Sequence, residues 1–125
     1  MLKLISDIMI IFVAVEALFI MLLEMFGSTS KLAQKAFDLD LDYLNQPEAK
    51  VSMQNQGLYN GFIGLGILLV RFAFPVDAIY PGLLLFIVFV IIAALFGAIT
   101  ANKKIIFTQG LPAIISLILL LISHQ

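Results

Sequence analysis

The sequence lacks cysteine entirely and contains few charged residues. Without cysteine there is no disulfide bond, no thiolate nucleophile and no thiolate metal site. Only 12% of the 125 residues are charged, and the seven Lys and Arg residues form no basic stripe, so the composition carries no signal for nucleic-acid binding. Hydrophobic residues make up 62% of the chain, and the mean hydropathy is +1.13. These values lie outside the range of soluble globular domains and predict a membrane protein.

Four apolar segments are long enough to cross a bilayer as helices, which requires about 20 residues for about 30 Å of hydrocarbon. They comprise residues 4–26, 57–74, 79–101 and 105–122. Because these segments take up most of the chain, residues 1–125 are predicted to form one membrane domain without a soluble catalytic module. The predicted fold is all-α: a polytopic membrane protein with an antiparallel bundle of four transmembrane helices.

The first loop, residues 27–53, is the main polar region of the sequence. Ser28, Thr29 and Ser30 offer an N-cap for a helix over residues 31–37. Apolar residues recur within that helix at helical spacing. The pattern predicts a short amphipathic helix that lies at the membrane interface.

Two residues near the end of this loop predict where the second transmembrane helix begins. Pro47 suits the first position of a helix, and Glu48 suits the positive end of the helix dipole. We therefore expect the helix to begin near Pro47 and to enter the membrane several residues later.

Three aspartates, Asp38, Asp40 and Asp42, have the spacing of calcium ligands. A calcium-binding loop counted from Asp38 would need Gly at its sixth position and Glu at its twelfth. The chain has Tyr43 and Ala49 at those positions. The motif therefore fails, and the aspartates predict a solvated acidic turn.

The distribution of basic residues predicts the orientation. Four spans put both termini and the second loop on one side, with Lys3 and Arg71, and the first and third loops on the other. The latter side carries Lys31, Lys35, Lys50, Lys103 and Lys104. Because cytoplasmic loops are enriched in Lys and Arg, we expect cytoplasmic first and third loops and external termini.

Glu16 lies near the middle of the first apolar segment. A carboxylate at that depth costs about 2.5–3.5 kcal/mol on insertion scales, so it is rarely kept without a task or a partner. We expect Glu16 to be protonated and to donate a hydrogen bond, to Asn60 or to Tyr59. Such a group suits a proton-coupled site and equally a general acid.

The polar residues of the predicted spans cluster at their cytoplasmic ends. The sequence therefore predicts a polar crevice open to the cytoplasm, with Glu24 near the interface and Glu16 near the floor. Taken singly, several of these residues also fit an interfacial position solvated by water and headgroups. The candidate ligand- or proton-binding residues are Glu16, Glu24, Asn55, Gln56, Tyr59, Asn60, Thr100 and Gln109.

Small residues and one proline predict how the helices pack. Gly57 and Gly61 have the GxxxG spacing that allows close helix approach in lipid, and Gly64 lies near the same face. Pro112, early in the fourth span, frees a backbone carbonyl and predicts a bend there.

Three blocks of sequence carry a family resemblance. They are LEMF at 23–26, which follows Glu16, NQGLYNG at 55–61 and QGLPA at 109–113. Together they resemble the signature of the domain of unknown function 1304 (DUF1304) family, small bacterial inner-membrane proteins with four predicted spans. The resemblance covers nearly the whole chain and implies the fold and location but no activity. Where the family pattern has a His after the first Glu, this chain has Ala17, so the resemblance implies no His-dependent metal site.

Three functions remain compatible with the sequence. The favoured one is a small-molecule or proton-coupled transport or binding protein, similar in plan to the small multidrug resistance transporters, which are short four-helix chains with a Glu in the first span. The second is an intramembrane enzyme, isomerase-like or lipid-modifying, that uses Glu16 or Glu24 as acid or base with Tyr59 and Asn60 as hydrogen-bond donors. The third is a structural accessory subunit. We expect no cofactor, no metal and no nucleic acid. The expected partners are membrane lipids and a hydrophobic or amphiphilic small molecule, and a homodimer stays open.

Overall fold

The computed structural model describes residues 1–124, and every regular element in that range is a helix. Four helices are long, and two short ones lie in the connection between the first two long helices. The elements are α1 (Leu2–Phe26), α2 (Lys31–Phe37), α3 (Leu41–Leu44), α4 (Pro47–Ala73), α5 (Val76–Thr100), a π-helical turn (Ile106–Gly110) and α6 (Leu111–His124). The π turn runs directly into α6, so the two form one continuous helix.

Within the described chain, three helices are long and apolar enough to cross a membrane, judged by length and composition. They are α1, α5 and the helix Ile106–His124. The predicted second span, residues 57–74, falls on the second half of α4 and its C-cap, where Asn60 and Arg71 lower the hydropathy. The expectation of an all-helical protein with helices long and apolar enough to cross a membrane is confirmed, and the count of four spans is not.

The four long helices form a closed ring in the order α1, α4, α5 and α6. The interface between α1 and α4 is the most extensive. Neighbours in the ring run antiparallel, because only residues 74–75 separate α4 from α5 and residues 101–105 separate α5 from the π turn. One end of the ring holds the start of α1 and the end of α6, and we call it the termini end. The other holds α2, α3 and the π turn, and we call it the loop end.

Three glycines of α4 allow α1 to pack closely against it. Gly57, Gly61 and Gly64 are buried, and a Cβ atom on any of them would run into α1. At Gly64 that atom would lie 2.7 Å from the carbonyl oxygen of Ala14. At Gly57 it would lie 3.0 Å from Cβ of Glu24. The glycine face of α4 is therefore its contact surface with α1.

An ion pair joins the same two helices at the termini end. Arg71 donates from Nε to Oδ1 of Asp7 at 3.0 Å and from Nη2 to Oδ2 at 2.7 Å. Both side chains are partly buried. Bidentate contacts of this kind fix orientation as well as proximity, so the pair sets the register of α1 against α4.

The apolar core fills the half of the ring nearer the termini end. It draws on all four long helices, so this half is closely packed. Its buried residues are Ile10, Val13, Ala14, Ile67, Val70, Leu83, Ile87 and Leu120.

The connection between α1 and α4 follows the capping signals in the sequence. Oγ of Ser30 accepts a hydrogen bond from the backbone N–H of Ala33 at 3.1 Å. The helix predicted over residues 31–37 has those bounds in the structure. α4 begins at Pro47, also as predicted.

The three aspartates lie at helix ends in this connection. Oδ1 of Asp40 accepts from the N–H of Tyr43 at 2.8 Å and caps α3, while Asp42 lies in the first turn of that helix, where the dipole favours an acid. Asp38 ends α2 in a left-handed conformation, with φ of 55°, which Asp adopts more readily than most residues. The aspartate spacing predicted a single acidic turn and gave no indication of α3.

The bend predicted at Pro112 takes the form of the π turn. The N–H of Leu111 bonds to the carbonyl of Ile106, five residues earlier. The proline ring crowds the carbonyl of Thr108, four residues before it, and has no N–H to offer that carbonyl. A wider turn at this point relieves the crowding, and it carries Gln109.

Candidate functional site

Two cavities in the loop half of the ring share part of their walls. Their volumes are about 470 and 620 Å³. The first lies near mid-bundle between α1, α4 and α5, and the second continues to the loop end, where α2 covers it. We call the two together the crevice. The residues that line both are Glu16, Ile20, Asn60, Ala93 and Gln109.

Glu16 faces the crevice without a partner from the chain. It is partly exposed and makes no hydrogen bond or ion pair with any of residues 1–124. The hydrogen bond expected from Glu16 to Asn60 or Tyr59 is therefore absent from this structure. The reason lies in helix geometry, because Glu24, not Glu16, is on the side of α1 that faces α4 at Asn60.

Glu24 is fully buried between α1 and α4 instead of being solvated at an interface. Its Oε1 accepts a hydrogen bond from Nδ2 of Asn60 at 2.5 Å, and its Oε2 has no partner among the described residues. The absence of a side chain at Gly57, which abuts Glu24, makes room for this contact. The hydrogen bond to Glu24 thus fixes the side chain of Asn60, and Asn60 lines the crevice.

Three further predicted residues, together with Gln109, line the part of the crevice near the loop end, where α4, α5 and the π turn bring them together. Thr100 donates its hydroxyl to the carbonyl of Phe96 at 2.7 Å, so its donor is used within α5. The four residues are Gln56, Tyr59, Thr100 and Gln109.

Asn55 does not belong to this group. Its Nδ2 donates to the carbonyl of Val51 on its own helix at 3.0 Å, and it lines neither cavity. At 100° per residue, Asn55 lies about 140° around α4 from Asn60, which turns it away from the crevice. Its assignment as a binding residue from its polarity alone has no support in this geometry.

The apolar walls of the crevice were not predicted from the sequence. Phe89 and Phe96 are seven residues apart on α5 and therefore share a face of that helix. Phe19 of α1 and Phe37 of α2 line the part near the loop end. The seven-residue spacing was readable in the sequence, whereas the docking of α2 over the crevice was not.

The crevice combines one carboxyl with amide, hydroxyl and aromatic groups. Among the described residues that line it there is no Lys, Arg or His, so Glu16 carries its single formal charge. No three His, Cys, Asp or Glu residues within 1–124 are placed to hold a metal ion. The volumes lie within the range of small-molecule sites, about 300–1,000 Å³. The arrangement can hold a partly apolar molecule that presents a hydrogen-bond donor or a positive charge.

Comparisons with known proteins identify one family and one uncharacterized relative. The family model described as "Protein of unknown function (DUF1304)" matches residues 11–121. Uncharacterized protein YpaA of Lactococcus lactis subsp. lactis (strain IL1403) is 41% identical over 106 residues, which cover 85% of this chain and 87% of the relative. No solved structure matches the chain. Because the family model spans most of the sequence, the chain belongs to the DUF1304 family.

Proposed function

We propose that the protein crosses a bacterial inner membrane four times and binds small amphiphilic cations in the crevice, in exchange for a proton carried by Glu16. The observation that carries the proposal is the position of Glu16, a carboxyl that faces both cavities and has no partner among residues 1–124. A carboxyl that holds either a proton or a cation couples the movement of one to the movement of the other. Transport is the function that uses such coupling.

The packing of α4 supports a fourth span. Its 27 residues extend about 40 Å at 1.5 Å per residue, enough to cross the hydrocarbon. It packs against α1, which is apolar enough to span. Two of its polar side chains, Asn60 and Arg71, are bonded to residues of α1 instead of being left to lipid. A polar helix paired in this way can lie in a membrane because its partner satisfies its hydrogen bonds.

The chemistry of the crevice supports a cationic ligand. Glu16 provides the one charge, and Phe89 and Phe96 provide aromatic surface that attracts cations as well as hydrocarbon. Asn60, fixed by Glu24, and Gln109 add amide groups close to Glu16. A lipophilic cation of moderate size can contact the carboxyl, the aromatic rings and the amide groups together.

A single fluorescent reporter tests the proposal. Since the sequence contains no tryptophan, Phe89→Trp places one tryptophan on the crevice wall. In nanodiscs, tetraphenylphosphonium should change its fluorescence saturably, and a pH dye in weak buffer should report about one proton released per cation bound. The neutral triphenylphosphine oxide controls for partition into lipid. In liposomes, an inward proton gradient should drive efflux of the cation.

Glu16→Gln in the reporter background should abolish proton release and weaken cation binding at least about tenfold, as expected for loss of one charged contact. Glu48→Gln makes the same change at an exposed position outside the crevice and should leave both unchanged. Equal binding of cation and neutral compound, or normal proton release by Glu16→Gln, would refute the proposal. Binding and proton release without efflux would restrict the function to binding.

A further inference from the structure

A third cavity, of about 290 Å³, lies at the termini end, away from the crevice. Its walls come from the first turns of α1, the end of α4, the start of α5 and the end of α6. None of the residues that line it lines the crevice. It is therefore a separate site, whose chemistry is independent of Glu16 and of the function proposed for the crevice.

The charges of this cavity favour an anion. Lys3, Asp7 and Arg71 line it, so two cations stand against one carboxylate and leave a net charge of +1. The bond to Asp7 uses two of the five N–H donors of Arg71 and holds its guanidinium in place. The other donors remain for a ligand, and Lys3 has no ion-pair partner within residues 1–124.

A buried hydroxyl in the same cavity also lacks a partner. Ser6 lines the cavity and is 2% exposed, yet its Oγ makes no hydrogen bond with the described residues. In a helix, serine usually offers its hydroxyl to the backbone one turn earlier. Buried polar groups are nearly always satisfied, so an unpaired hydroxyl beside two cations is itself an indication of a ligand.

Four apolar residues and three polar ones, Tyr80, Ser123 and His124, complete the wall. Val76, Ile79, Leu83 and Leu120 line the cavity, and the last two belong to the apolar core. Because α1, α5 and the helix Ile106–His124 are long and apolar enough to cross a membrane, we expect a cavity at their ends to lie at the level of lipid headgroups. A wall that combines Lys, Arg and Ser donors with apolar side chains matches a molecule with an anionic head and an acyl tail.

We propose that this cavity binds the phosphodiester group of an anionic phospholipid, with Lys3, Arg71 and Ser6 as donors to the phosphate oxygens. Phosphate recognition by Arg and Lys together is favourable because both donate charge-assisted hydrogen bonds. The apolar part of the wall then receives the first part of an acyl chain.

Native mass spectrometry of the delipidated protein tests the site. Dioctanoyl phosphatidylglycerol should give one tight adduct, and dioctanoyl phosphatidylcholine a much weaker one. Lys3→Gln should weaken the tight adduct about tenfold, and Ser6→Ala about threefold, the effects expected for a charged and a neutral hydrogen bond. Lys50→Gln, which removes an exposed lysine at the loop end, should have no effect.

Any of the following three results would overturn the proposal. Equal affinity for both lipids, or equal loss in Lys3→Gln and Lys50→Gln, would show attraction to charge alone. Displacement of the tight adduct by millimolar sodium phosphate would assign the site to free phosphate. Glu16→Gln should retain the phosphatidylglycerol adduct, so failure of the crevice proposal and failure of this one are distinguishable.

Discussion

At the scale of single residues, Asn60 has two structural roles. It donates to the buried Glu24 and it lines both cavities of the crevice. Glu24, in turn, has one oxygen bonded and one without a partner in the described chain. Removal of the Asn60 amide should therefore lower the free energy of unfolding more than a change at Glu24 does. Without the amide, the buried carboxyl of Glu24 has no hydrogen bond among the described residues.

This difference can be measured as stability. Asn60→Ala should lower the free energy of unfolding by about 1 kcal/mol, typical of an intramembrane hydrogen bond. Glu24→Gln keeps the volume and an acceptor oxygen for Asn60, so it should lower the free energy of unfolding less than Asn60→Ala does. Asn55→Ala is the matched control, since Asn55 bonds only its own helix. Titration with sodium dodecyl sulfate in mixed micelles, followed by circular dichroism at 222 nm, gives the three values. Equal losses in Asn60→Ala and Asn55→Ala would remove the Glu24 contact from the explanation.

Among the helices, α4 has two distinct faces. The face with Gly57, Gly61 and Gly64 lies against α1, and the face with Gln56 and Asn60 reaches the crevice. The glycine face brings the backbones together, and this proximity allows Asn60 to reach Glu24. The packing of α4 and the geometry of the crevice are therefore linked through one interface.

Two of these glycines should respond differently to the same substitution. In Gly64→Ala the new Cβ would lie 2.7 Å from a backbone oxygen of Ala14, which cannot move without moving α1. In Gly61→Ala it would meet the side chain of Met21, which is flexible and can rotate away. We expect a loss of about 1–3 kcal/mol for Gly64→Ala and less than about 1 kcal/mol for Gly61→Ala. The same unfolding titration measures both, and the reverse order would contradict these contacts.

Local signals predicted the helices well and the contacts between them poorly. Ser30 and Pro47 marked helix starts because capping depends on neighbours in sequence. The pairing of Asp7 with Arg71, which are 64 residues apart, follows from the antiparallel alignment of α1 and α4, which no local pattern encodes. For the same reason Glu24 was expected near solvent, although it is buried by another helix.

For the candidate site, polarity located most of the crevice residues but not their roles. Gln56, Tyr59, Thr100 and Gln109 do line the crevice, because the polar ends of the spans meet in an antiparallel ring. Asn55 does not, because position around the helix, not polarity, decides which side chain points inward. Their function in binding stays a prediction.

In the molecule as a whole, the number of spans decides which loops share a side. With four spans, the α1–α2 connection and the α5–α6 connection lie on one side of the membrane. If only α1, α5 and the helix Ile106–His124 cross, those two connections lie on opposite sides. The same alternative moves the α4–α5 connection to the side of the α1–α2 connection.

Single cysteines resolve the count, since the sequence has none of its own. The exposed positions Thr29, Lys103 and Asp77 serve as the labelling sites. In intact spheroplasts, a membrane-impermeant maleimide should label Asp77→Cys and leave Thr29→Cys and Lys103→Cys protected until lysis. That outcome is expected from four spans and from the excess of lysine in the first and third loops. Opposite behaviour of Thr29→Cys and Lys103→Cys would exclude four spans, and labelling of those two alone would reverse the orientation.

The π turn before α6 has a consequence for changes in chain length. A π turn holds one residue more than the α-helical turn it replaces, so residues 106–110 form a place where the helix carries a spare residue. Loss of one residue elsewhere in a long helix rotates everything beyond it by about 100° and breaks its packing. Deletion of one residue within the π turn instead restores regular α-helix. Gln109 and the residues before it then rotate about the helix axis, and α6 does not. A shortened chain would then keep α6 in its place and turn Gln109 away from Glu16, which makes chain length at this one position a determinant of what the crevice presents.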